Sequence, residues 1–167
     1  MSDVVIREPR PGDGEAIAHL HVANSARYAE LAPELFRLPD EEGLVDFLES
    51  RDEFDPETML ALVAEVDGEV AGYLEAQLQP PLESARWQSG PDLGQTRLFV
   101  NAVGTAPEFQ RRGVATRLVE AAEAWGRERG ATVAVCDTWL ESPFSVPFWT
   151  ERMGYERRAV ILRKRLD

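Results

Sequence analysis

The residues whose types and spacing offer chemistry first are Gln110-Arg111-Arg112-Gly113-Val114-Ala115. They lie between an apolar strand-like run, Leu98 to Val103, and an amphipathic helix expected over roughly Ala115 to Arg129. The first N–H groups of a helix have no partner inside it and point out of its end. The aligned peptide dipoles favour negative charge there, and phosphate is a frequent guest. Glycine at 113 lets the backbone approach such a guest with no Cβ in between. Arg111 and Arg112 stand where the dipole disfavours cations, which makes sense if an anion sits beside them; Arg117, one turn on, extends the patch. The chemistry implied is the holding of a phosphate-bearing cofactor. Neither Gly-x-x-x-x-Gly-Lys-Ser/Thr nor Gly-x-Gly-x-x-Gly is present, which argues against an ordinary nucleotide-binding enzyme.

The other reactive side chains are sparse. Cys136 is the single cysteine, so no intramolecular disulfide forms, and its apolar neighbours Val133 to Val135 mark it as a small buried side chain. His19 and His21 are two apart on an expected helix and face different ways, so no metal site is expected from them.

The elements that must position these groups follow from periodicity. Val4 to Arg7 reads as a strand, closed by Pro9 to Gly12. Asp13 is a candidate cap for a helix carrying Ile17, Leu20 and His21 and running to Ala29. Asp40 is a candidate cap for a second helix with Leu44, Phe47 and Leu48 on one face. Met59 to Val66 and Val70 to Leu78 form a hairpin about Asp67-Gly68, a strong type I′ signal. Pro80 to Pro91 is a loop containing Trp87. Thr96 to Val103 is the fourth strand, followed by Gly104 and Pro107, which mark a bulge or close backbone approach and the end of pairing. After the helix, which Gly130 terminates, come a buried fifth strand (Ala131 to Leu140), a short helix (Pro143 to Arg152) and a last strand (Arg158 to Leu166). The order β-α-α-β-β-β-α-β-α-β predicts one α/β (α+β) domain over residues 1–167 with a mixed sheet, not a doubly wound parallel one.

Composition fits that reading. The chain has 167 residues, 44% hydrophobic and 29% charged, enough for a sizeable core. Its formal charge is −12, which disfavours nucleic acid and anionic membrane as partners; the acidity serves solubility, or, on a sharper reading, an acidic cleft that attracts a cationic amine. No apolar run approaches the roughly 18 residues of a membrane span, and no leader pattern opens the chain, so the expected compartment is cytoplasmic.

With those elements placed, the chain resembles the GNAT superfamily of acyl-CoA-dependent N-acyltransferases. The family's loop has the form Gln/Arg-x-x-Gly-x-Gly/Ala, and Gln110 to Ala115 matches it. Thr105 to Phe109 resembles the strand-end segment before it, and Ser142, Ser145, Phe148, Trp149, Gly154 and Tyr155 occupy the positions of the downstream Asn-x-x-Ala-x-x-Phe-Tyr and Gly-Phe motifs. The resemblance implies a central twisted sheet with helices on both faces and splayed fourth and fifth strands. It implies that pantetheine pairs with backbone groups of Val103, Gly104 and Thr105, and that the diphosphate rests on the N–H groups of Arg111, Arg112, Gly113, Val114, Ala115 and Thr116, with Ser142 on the cofactor side. Acetyl-CoA is the implied co-substrate, with no metal, and a primary amine, on a small molecule or a protein, is the implied acceptor, attacked by direct transfer. A non-catalytic acyl-CoA sensor is the alternative, because Trp149 replaces the family's Tyr and an indole is no usable acid. Asp137 is the first candidate base, with Glu141 and Glu75 in reserve; Tyr155 reads as a core aromatic rather than an acid. Pairing through the last strand and helix, as in family members, leaves room for a homodimer.

Overall fold

The computed structural model describes residues 3–50 and 54–166. Its strands are β1 (Val4–Arg7), β2 (Met59–Val66), β3 (Glu69–Gln79), β4 (Arg97–Thr105) and β5 (Val133–Cys136). They form one sheet in the order β1-β2-β3-β4-β5, antiparallel except for the parallel β4–β5 pair. The helices are α1 (Gly14–Leu31), α2 (Leu44–Glu49), α3 (Val114–Glu128) and a short α4 (Ser145–Pro147) that widens into a π-turn over Phe148–Arg152. Among the described residues no helix is long and apolar enough to cross a membrane.

Strand alternation explains the layers. Leu60, Leu62 and Ala64 of β2 and Leu74 and Ala76 of β3 turn to one face, where Val114, Leu118, Val119 and Ala122 of α3 cover them. Ala61, Val63 and Tyr73 turn to the other face and meet Ile17 of α1 and Leu48 of α2. Helices therefore cover both faces of a mixed sheet. The Asp67-Gly68 turn has positive φ at both residues (53° and 86°), as type I′ requires.

The helix starts differ from the expectation. Asp13 does not cap α1: its carboxylate accepts a bidentate pair from Arg7 (2.7 and 3.1 Å) and the Arg10 N–H (2.6 Å). The α1 start is closed instead by Glu49 of α2, whose Oε1 accepts from the N–H groups of Gly12 (3.0 Å) and Gly14 (3.1 Å). Asp40 makes a local turn by accepting from Glu42 N–H (3.2 Å), and α2 begins only after Gly43. The fifth strand is also shorter than its apolar run, and residues 156–166, expected as a last strand, join no ladder. A strand needs a neighbour for its backbone groups, and among the described residues no strand pairs with this segment.

Candidate active site

The β4–β5 pair holds for only four rungs, from Arg97 opposite Val133 to Val100 opposite Cys136. At that point the β3–β4 register shifts: Ala76 faces Val100 and Glu75 faces Ala102, leaving Asn101 as the extra residue of a bulge. A bulge bends its strand and sharpens the local twist. β4 then continues from Asn101 to Thr105 with no described strand on its β5 side. The parallel pair thus opens into a wedge, with the bulge two residues before Val103. The backbone of Val103, Gly104 and Thr105 forms one wall, and Asp137, directly after Cys136, begins the other.

The wedge runs into the arginine-glycine turn. Gln110 is extended, Arg111 has φ +63°, and Gly113 has φ +80° at the start of α3. A left-handed conformation at an arginine is uncommon and costs free energy. Here it belongs to a turn with two left-handed residues, Arg111 and Gly113, that leads directly into the α3 start. The first α3 hydrogen bond is Arg117 N–H to Gly113 carbonyl (3.0 Å), so the N–H groups of Val114, Ala115 and Thr116 lack intrahelical acceptors. A Cβ on Gly113 would meet open space. Arg111 and Arg112 are exposed, with the Arg112 guanidinium 5.3 Å from the Phe109 ring centre. Arg117 is directed elsewhere and donates to the Val4 carbonyl of β1 (3.4 Å). Arg152 of the π-turn approaches in its stead, its Nε donating to the Thr116 hydroxyl at 3.5 Å. Sequence reading missed Arg152, because the π-turn that carries it is set by tertiary packing.

The second opening lies over β3. Glu75 is exposed although β3 is the middle strand of five, and Asn101 and Ala102 beside it are exposed too. On a central strand this means that the helical layer leaves a gap above them. The Tyr73 hydroxyl, two residues back on the same face, donates to Glu75 Oε1 in a short hydrogen bond that orients the carboxylate. Glu75 thus sits one strand from the wedge, across from the bulge, whereas Asp137 and Glu141 lie exposed on the β5 side.

The remaining candidates have structural partners. Ser142 is 3% exposed and its hydroxyl accepts from the Ser145 N–H (3.0 Å), which ties it to the turn before α4. Trp149 is 6% exposed and packs edge-on against Phe148 and at a tilt against Tyr155. The Tyr155 hydroxyl donates to Glu123 (3.2 Å), and burial together with the Glu123 charge holds its pKa above the usual phenol value. Burial, reinforced by the Asp137 charge, pushes the Cys136 thiol up to about 12, so it is no nucleophile near neutral pH. His19 and His21 are both exposed on α1. An aromatic cluster that the sequence did not announce joins α1 to the segment that follows β5. Tyr28 of α1 meets Phe36 (centroids 5.0 Å apart) and Phe144 (4.9 Å), Phe36 meets Trp139 (5.6 Å), and Arg27 lies 4.3 Å over the Phe144 ring.

Comparison with known proteins agrees with this geometry. Residues 25–155 match the family described as Acetyltransferase (GNAT) family. An aminoglycoside N(6')-acetyltransferase type 1 of Salmonella typhimurium is 27% identical over 109 residues, covering 64% of this chain and 70% of the relative. One of Klebsiella aerogenes is 36% identical over 90 residues, 54% of each chain. Among solved structures, the aminoglycoside N-acetyltransferase AAC(6')-Iy in complex with CoA superposes with a TM-score of 0.66 at 22% identity, covering 99% of this chain and 97% of that one. At that identity the likeness speaks to the fold.

Proposed function

The chain belongs to the acetyltransferase (GNAT) family, and from that premise we propose how it moves an acetyl group from acetyl-CoA to a primary amine and which amines it takes. The acceptor class we propose is a small polycationic amine, of the kind for which its aminoglycoside-acetylating relatives are named. The observation that carries the reading is the free β4 edge beyond Val100 running into the positive-φ turn at Arg111 and Gly113. Such an edge can pair with an extended amide-bearing chain as though it were one more strand, and the turn offers amides and arginines to the diphosphate at its end.

In this reading Val103, Gly104 and Thr105 align the pantetheine arm, and the Val103 N–H donates to the thioester carbonyl as negative charge develops on it. The amides of Arg111 through Thr116, with the Arg111, Arg112 and Arg152 side chains, hold the diphosphate. Ser142 shapes the turn before α4. The acceptor enters through the gap above Glu75, Asn101 and Ala102. Glu75, held by Tyr73, takes a proton from the ammonium directly or through water, so that the neutral amine attacks. The new C–N bond forms as the C–S bond breaks, and the second proton lost by the attacking nitrogen passes through water to the departing thiolate. Asp137 binds a second ammonium of the acceptor across the wedge. The acidic chain favours such an acceptor over nucleic acid or membrane, in a cytoplasmic setting.

Thiol release from acetyl-CoA with a panel of mono- and polyamines tests the activity. Tight acetyl-CoA binding with no transfer to any amine would mark a sensor instead. Glu75→Gln is expected to lower kcat about 100-fold while leaving acetyl-CoA affinity unchanged. Full activity in that variant would move the base elsewhere.

A further inference from the structure

Glu49 is an exposed carboxylate on the short helix α2, yet it closes the start of the long helix α1. Its Oε1 accepts from the N–H groups of Gly12 (3.0 Å) and Gly14 (3.1 Å), at the helix end where the dipole favours negative charge. The sequence leaves room for this contact. A Cβ on Gly14 would stand 2.4 Å from Glu49 Cγ and 2.7 Å from its Oε1, so any larger residue would push the carboxylate off its two donors. Gly14 has no left-handed φ that would call for glycine, and glycine is a poor helix former. The close approach of the Glu49 side chain is what the position requires.

The clamp lies beside the seat of Tyr73. Ile17 follows Gly14 by three residues, one turn on along the same side of α1, and Leu48 directly precedes Glu49. These two are the helical members of the apolar cluster that also holds Ala61 and Val63 of β2 and Tyr73 of β3. Tyr73 is 8% exposed in that cluster, and its hydroxyl donates to Glu75 Oε1. A phenol hydroxyl goes where its ring goes, and this ring is packed among side chains that the clamp brings together. We propose that Glu49 is a positioning residue for acetyl transfer: by tying the end of α2 to the start of α1 it holds Ile17 and Leu48 in the cluster around Tyr73, and through the Tyr73 hydroxyl it fixes the direction of the Glu75 carboxylate. This rests on the reading of Glu75 as the base. Glu49 itself acts through two helices and a tyrosine and touches neither substrate.

The test uses the full chain at saturating acetyl-CoA, with spermidine as the first amine and the rest of the amine panel after it. Glu49→Ala removes the accepting oxygens and opens no cavity, because the side chain is exposed. Gly14→Ala displaces the same carboxylate while adding a better helix former, so a slower Gly14→Ala is not explained by loss of α1. Each should lower kcat about tenfold, less than removal of the base itself, with the Kd of acetyl-CoA unchanged. Glu49→Gln keeps an accepting amide oxygen and should recover most of the wild-type kcat. Added to Tyr73→Phe, neither alanine should lower kcat further, because the clamp acts through the hydroxyl that this variant lacks. Wild-type kcat in both alanine variants, a loss that multiplies with that of Tyr73→Phe, or an equal loss of acetyl-CoA affinity would each overturn the proposal. Failure of the base reading looks different: Glu75→Gln at full kcat refutes the base and the clamp with it, whereas a slow Glu75→Gln beside full-speed Glu49→Ala and Gly14→Ala refutes the clamp alone. A chain that transfers to no amine of the panel ends both.

Discussion

Gly113 concentrates the binding argument in one residue. Its φ of +80° suits glycine, and the space where a Cβ would stand is open, as the proposed diphosphate site requires. Gly113→Ala adds only the left-handed strain, about 1–2 kcal/mol. Gly113→Glu adds the same strain and a carboxylate where two phosphates should lie. Titration with acetyl-CoA is expected to show at least a 100-fold loss of affinity for the glutamate variant, about 2.7 kcal/mol, and a clearly smaller loss for alanine. Equal losses would mean that backbone strain alone matters and that no anion sits at this turn. Residue-scale chemistry was legible here because a turn and the helix it opens are contiguous in sequence. Glu75 was legible from sequence only in reserve behind Asp137, because its exposure depends on a gap in the helices above a central strand, and Arg152, brought to Thr116 by a π-turn, was not legible at all. For the same reason the cap assigned to Asp13 by local pattern was lost to Arg7, a residue fixed by its place in β1.

Elements meet at two places where a single atom or charge decides the fit. Gly72 lies under α3: an added Cβ would stand 2.5 Å from Val114 Cγ1, 2.9 Å from the Gly104 carbonyl oxygen and 3.0 Å from Leu118 Cδ1. The carbonyl belongs to β4, so relief requires moving the strand or α3, whose start is the proposed anion site. Gly72→Ala is expected to cost about 1–3 kcal/mol in urea unfolding and to weaken acetyl-CoA binding with it; an unchanged midpoint would show that α3 is not closely seated. At the other end of the sheet, Arg7 of β1 joins Asp13 before α1 to Glu65 of β2. Hydrogen bonds from Arg7, against an opposing burial effect, hold the Asp13 carboxyl below the usual range. A depressed folded pKa gives stability that is full above the unfolded value of ~3.9 and lost as pH falls through the folded one. The Tm advantage of wild type over Asp13→Asn should therefore persist from pH 7 to 5 and shrink below about pH 4. A pH-independent difference would show that the charge contributes nothing. Helices and hairpin were readable from period and turn residues. The final strand was read from an apolar run, but a run does not say where its pairing partner is, and Val160 to Leu162 find none within the described chain.

For the whole molecule, the acidic balance and the local arginine patch oppose each other, and on the proposed reading they serve different substrates. A net charge of −12 would repel a phosphorylated co-substrate at long range, and Arg111, Arg112 and Arg152 at the α3 start would offset this only at the proposed diphosphate site. The proposed polycationic acceptor would instead approach down the overall field into the gap that holds Glu75, with Asp137 and Glu141 exposed on the β5 side. Screening lengths fall from ~30 Å at 0.01 M to ~3 Å at 1 M ionic strength, so salt removes the steering and leaves the contact chemistry. kcat/KM for a polyamine acceptor at saturating acetyl-CoA should then fall about tenfold or more between 0.01 and 0.5 M salt, within the range electrostatic steering supplies. For a monoamine of similar size it should change far less. The KM for acetyl-CoA should move little or improve, since screening relieves the long-range repulsion while it weakens the local arginines. A polyamine whose kcat/KM tracks the monoamine across the series would show that the acidic surface serves solubility alone, and that the acceptor is chosen by shape within the gap above Glu75.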